Sequence, residues 1–219
     1  MNNRLDFNSP DVMCFLFNIP LVALICLLLK DKLEIDSPAI ILLFAICTVE
    51  LIFGLILGNT LKELLFSCYK TSFLDLMQYP RLILHVFGHS GIEHYTSNMM
   101  VILLVGPTLE SIYTTTNIII VILVVALVTG LYSITVHPDY AVKGASGVAF
   151  AFIIMTAFSG LTEGTKIPIS AILVIAFNIT REVYSALTTL DDGIGHGVHV
   201  LGGIVGGICG LVLNGVLKI

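Results

Sequence analysis

Two serines of this 219-residue chain are set between glycines, Ser146 in "GASG" (Gly144 to Gly147) and Ser90 in "GHSG" (Gly88 to Gly91). A serine hydroxyl becomes a useful nucleophile only when a base takes its proton. His199 is the base the sequence offers to Ser146. It heads an apolar stretch in which Gly202, Gly206 and Gly210 follow on the same helical face, so a partner helix can approach that face closely. Acyl transfer also needs donors aimed at a developing oxyanion. His94 and Asn98, four apart and hence one above the other on a helix, can join the Ser146 backbone N–H in that role. Ser90 lies among His89 and Glu93 in a polar stretch, where its glycines read as a turn. A third residue to orient His199 is not evident; Asp191 and Asp192 read as solvated loop charges.

These groups are carried by a chain built for lipid. It is 57% hydrophobic and 11% charged, with a mean hydropathy of +1.01, which no soluble fold of this size accommodates. The net charge of -5 and scattered Lys and Arg exclude a nucleic-acid partner, and the five cysteines show neither a redox motif nor a disulfide framework. A span needs about 20 apolar residues, and the sequence offers seven candidate segments: Val12 to Leu29, which spans or lies at the interface, Pro38 to Gly58, His94 to Tyr113, Asn117 to Val136, Ser146 to Leu161, Ile167 to Tyr184 and Val198 to Leu217. The fold class is therefore an all-α, polytopic transmembrane helix bundle with the bilayer as its surroundings. The sequence divides into an N-terminal extension over residues 1–37 and a helical domain over 38–219. Between the second and third segments, Asn59 to Glu93 mixes charges with apolar runs, the pattern of short amphipathic helices lying in the interface.

The segment that starts at Ser146 is too short to cross the hydrocarbon core. Its serine then sits below the membrane surface, at the end of irregular backbone that is tolerated only when buried in protein or lining a watery hollow. Lys and Arg divide too evenly between the two sides to decide the orientation.

In the order "HYTSN", "GASG", "HVLGGIVGG", the chain resembles the rhomboid family of intramembrane serine proteases. The resemblance runs from about Pro38 onward and implies a six-helix core with one extra N-terminal helix. It implies an intramembrane serine endopeptidase with a Ser146–His199 dyad and an oxyanion site of His94, Asn98 and the Ser146 N–H. It assigns supporting roles to Gly144, Gly147, to Phe150 as a ring packed on the catalytic histidine, and to Glu110 as a hydrogen-bonding anchor. Arg81 stands where the family's long first loop is anchored, and His85 and His89 match loop-anchoring histidines. The implied substrates are single-span membrane proteins, with no cofactor and no metal. The implied location is the cell membrane, with the site open to the extracytoplasmic side. Other readings are a silent rhomboid-like binder of membrane clients, a transporter with a histidine-lined polar pathway, or a metal-binding membrane protein built on His85, His89 and His94. Against the last, H-E-x-x-H is absent. Glu50, within the second segment, reads as a packing partner for hydroxyls of another helix or as a modulator of access; His196 has no assigned role.

Overall fold

The computed structural model of the chain describes residues 10–57, 59–161, 165–188 and 195–217. Among the described residues there are nine α-helices and, in place of sheet, one isolated bridge between Cys68 and Val142. The helices are α1 (Pro10–Leu28), α2 (Pro38–Leu57), α3 (Asn59–Phe66), α4 (Gln78–Leu84), α5 (Ile92–Tyr113), α6 (Thr115–Val136), α7 (Ser146–Phe158), α8 (Ile169–Thr188) and α9 (His196–Leu213).

Four of them are long and apolar enough to cross a membrane: α2 over Pro38–Ile56, α6, α8 and α9. α5 has the length, 22 residues, but its Glu93, His94, Asn98 and Glu110 lower its hydropathy. The molecule is thus an all-helical membrane protein. Its outer faces expose Phe53, Leu104, Leu127, Phe177 and Ile204, which only lipid accommodates in such number. The expected spans agree with the helices to within about one turn, and the short one is shorter still. α7 ends at Phe158 after 13 residues, about 20 Å at 1.5 Å per residue.

α6 runs through the middle of the bundle and buries Ile118, Val121, Val125 and Ala126 in the core. α2 and α5 are joined by a carboxylate. The first N–H groups of any helix lack intrahelical partners, and at α2 two of them, on Ala39 and Ile40, donate to Glu110 Oε1 at 2.9 Å and Oε2 at 3.1 Å. Thr115 Oγ1 donates to the same carboxylate at 2.7 Å, tying in the start of α6.

The stretch 59–93 carries α3 and α4, as its amphipathic pattern predicts, with a 3-10 turn at His85–Phe87. Arg81 fixes it from within. The buried guanidinium donates from Nε to the Leu64 carbonyl at 2.7 Å, pairs with Asp75 at 3.2 Å, and lies 4.4 Å from the centre of the Tyr69 ring. α4 presses onto α6 where α6 has no side chain: a Cβ at Gly130 would stand 2.6 Å from the Leu82 carbonyl oxygen.

Candidate active site

The site is assembled by the contact of α7 with α9. Gly202 backs onto the backbone of Gly147, Gly206 onto that of Ala151, and Gly210 onto Met155, in the same order along both helices, so the two run parallel. A Cβ at Gly202 or Gly206 would collide with a main-chain carbonyl of α7. This close approach sets the starts of both helices at one level. Ser146 is the first residue of α7 and is half-buried. Phe150, one turn below it, stacks its ring face to face on the His199 imidazole, with centroids 4.6 Å apart and planes 7° apart. Among the described residues the Ser146 hydroxyl makes no hydrogen bond.

The irregular backbone ahead of Ser146 is satisfied by the loop beneath it. Val142 exchanges hydrogen bonds with Cys68, N–H to carbonyl at 2.9 and 2.8 Å, and the Gly144 N–H donates to the His85 carbonyl at 2.9 Å. Lys143 pairs with Glu63 of α3. Burial alone would raise the Glu63 carboxyl; the hydrogen bonds from Lys143 and Ser67 outweigh it and hold the group below its usual range. Gly144 adopts φ +126°, a conformation that strains any residue with a Cβ.

His94 and Asn98 converge on Gly144. A Cβ there would lie 2.7 Å from His94 Nε2 and 3.5 Å from Asn98 Nδ2. Asn98 Nδ2 is a buried donor without a hydrogen-bond partner among the described residues. A donor left in that condition costs free energy, and here it points at backbone two residues before Ser146. The other nitrogen of His94 is occupied, since Nδ1 lies 3.0 Å from Ser90 Oγ. The serine of "GHSG" is therefore a partner of a site histidine.

His85 and His89 are buried beneath these groups. His85 Nδ1 lies 3.2 Å from the Arg81 carbonyl and Nε2 lies 3.3 Å from Thr129 Oγ1. His89 Nδ1 meets the Phe87 carbonyl at 3.1 Å, and its ring packs edge-on against His94 and Tyr95. Burial pushes His85 down to about 4; burial, and then the neighbouring His94, push His89 down to about 3. Glu50 does not pack on hydroxyls, as its position in the sequence suggested. Its Oε2 accepts the His89 backbone N–H at 3.2 Å and its Oε1 lies 3.9 Å from Lys62 Nζ, because the loop folds back over α2 at that depth.

One group of the site escaped the sequence reading. Glu182 of α8 accepts from Nδ1 of His199 at 2.8 Å and from Nδ1 of His196 at 2.9 Å, both on Oε2, while Arg181 donates to Oε1 at 3.1 Å. His199 does have a carboxylate beside it. In the sequence Glu182 follows Arg181 near the end of an apolar run, and no spacing links it to His199. The signal that finds it is its depth, since a carboxylate within a spanning helix is costly unless it is used. Only Ala171 and Glu182 are buried along α8. Asp191 and Asp192 lie outside the described residues. A crevice of about 250 Å³ runs between α7, α8 and α9, from Glu182 and His199 past Phe150 and Ile154 to Leu211.

The Rhomboid domain family model matches the chain over residues 76–216. That stretch takes in Arg81, His94, Asn98, Ser146, Glu182 and His199. No curated protein matches the chain.

Proposed function

Because the chain belongs to the rhomboid family, we propose that it is an intramembrane serine endopeptidase in which Ser146 is the nucleophile and His199 the base. Glu182 occupies Nδ1 of His199, so the lone pair left for the Ser146 proton is that of Nε2. Ser146 Oγ bonds to the scissile carbonyl carbon as its proton passes to Nε2. The carbonyl oxygen, now negative, takes donors from Asn98 Nδ2, His94 Nε2 and the Ser146 backbone N–H. His199 then protonates the departing amine, and water, deprotonated by the same nitrogen, releases the acyl group by the reverse steps. Glu182 holds the imidazole in the required tautomer and balances its charge.

The observation that supports this reading is the buried amide of Asn98, without a partner among the described residues and beside Gly144, together with a histidine that a carboxylate orients. A packing role for Asn98 gives no reason to leave a buried donor empty. Substrates are single-span membrane proteins that reach the site through the lipid, and the crevice between α7, α8 and α9 offers apolar lining beside His199. We assign residues 38–219 to the protease domain and 1–37 to an extension. We assign the protein to the cell membrane with its site open to the extracytoplasmic side.

The test is labelling with a fluorophosphonate probe together with cleavage of a reconstituted single-span substrate. Wild-type protein is labelled and cleaves; Ser146→Ala and His199→Ala do neither. Labelling that persists in Ser146→Ala overturns the nucleophile assignment. A wild-type chain that binds the substrate without labelling or cleavage is a silent relative.

A further inference from the structure

The first turn of α9 and the buried carboxylate of α8 together form a ligand set. Glu182, His196 and His199 offer one carboxylate oxygen and two imidazole nitrogens, all within 4.8 Å of one another. Both nitrogens already converge on the same oxygen, at 2.9 and 2.8 Å. Two histidines and one acidic residue, three apart on one helix and supplied by a second, are the donors that zinc takes when a fourth position stays open. The three side chains are 4–13% exposed, enclosed enough to shed water and open enough for an ion to enter from the crevice. Arg181 holds the far oxygen, Oε1, and leaves Oε2 for a metal.

We propose that Glu182, His196 and His199 bind zinc and that zinc reversibly inhibits the protease. The inhibition rests on the reading of His199 as the base; the binding does not. Zinc displaces the Nδ1 protons of both imidazoles to water and bonds to the nitrogens they leave. A neutral imidazole with metal on Nδ1 carries its one proton on Nε2. The lone pair that takes the Ser146 proton is then gone. The ion also bridges α8 to α9, and α8 has few other buried contacts to hold it.

Zinc binding is measured by calorimetry on Ser146→Ala protein in detergent, which separates it from any activity. One zinc per chain is expected, with a rise in melting temperature. Glu182→Gln, His196→Ala and His196→Gln are each expected to weaken binding by at least the roughly tenfold that loss of a metal-site partner costs. Their melting temperatures without zinc identify any variant that has not folded. In active protein, zinc is expected to stop cleavage, a chelator to restore it, and His196→Gln to require roughly tenfold more zinc relative to its own metal-free rate. Absence of binding, or binding unchanged in all three variants, overturns the site. Binding as expected without loss of cleavage overturns the inhibition and leaves the site standing. Binding in a chain that never labels with fluorophosphonate supports the site and removes the protease reading alone.

Discussion

Glu182 Oε2 lies 2.8 Å from Nδ1 of His199, across the boundary between α8 and α9. The bond fixes the tautomer of the imidazole, with Nδ1 turned to the carboxylate. Glu182→Gln is expected to lower the cleavage rate by between tenfold and roughly 10⁴-fold, the latter being the effect where an orienting carboxylate is lost in other serine proteases. Glu182→Asp is expected to recover part of the loss, with substrate affinity little changed in both. Steady-state cleavage in liposomes checks this; an undiminished rate in Glu182→Gln shows that His199 does not depend on it.

Asn98 carries a donor without a partner among the described residues, so its removal is expected to cost catalysis and spare the fold. Asn98→Ala is expected to cut kcat by about 10²- to 10³-fold, with a melting temperature close to that of the wild type. A stability loss matching the loss of activity would make Asn98 a packing residue.

The helix contact gives a position-by-position contrast. Gly206→Ala drives a methyl into the α7 backbone at Ala151, whereas at Gly210 the nearest α7 atom stands 3.6 Å from a Cβ. Gly206→Ala is expected to destabilise the protein by roughly 1–3 kcal/mol, the usual cost of overpacking, and to impair cleavage. Gly210→Ala is expected to do neither. Thermal unfolding in detergent reads the difference directly.

Acid is expected to weaken the fold through His85 and His89. Unfolded, each takes up a proton below about 6.5; folded, they stay neutral down to about 4 and about 3. The unfolded state therefore binds more protons in that window, and stability falls with falling pH by roughly 1.4 kcal/mol per pH unit for each histidine. Above pH 7 the contribution is flat. Around His89 stand Glu50, Lys62 and His94. Glu63, held below its usual range, adds to the loss only at the acid end. Melting temperatures from pH 8 to 4 check the slope, and His85→Gln is expected to flatten it.

Much of this architecture is legible in the sequence because lipid leaves few choices. An apolar run with glycines at one helical face predicts close helix contact, and Gly202 and Gly206 make it against the very helix headed by Ser146. The shortness of α7 follows from its composition. Glu182 is not legible, since an Arg-Glu pair near a helix end looks the same whether the carboxylate turns outward or inward; only the position of α9 against α8 decides it. The same holds for Glu50, whose partners His89 and Lys62 come from a loop folded back at a depth that no periodicity encodes.

The parallel pairing of α7 with α9 also dictates a sequence of events at the ribosome. Ser146 emerges well ahead of His199, with all of α8 between them, and until α9 inserts the glycine face of α7 has nothing to rest against. The serine and the histidine are made on separate occasions and are set at one level only in a completed bundle. On the protease reading, a chain still being synthesised has no complete site to turn on the membrane proteins inserting beside it.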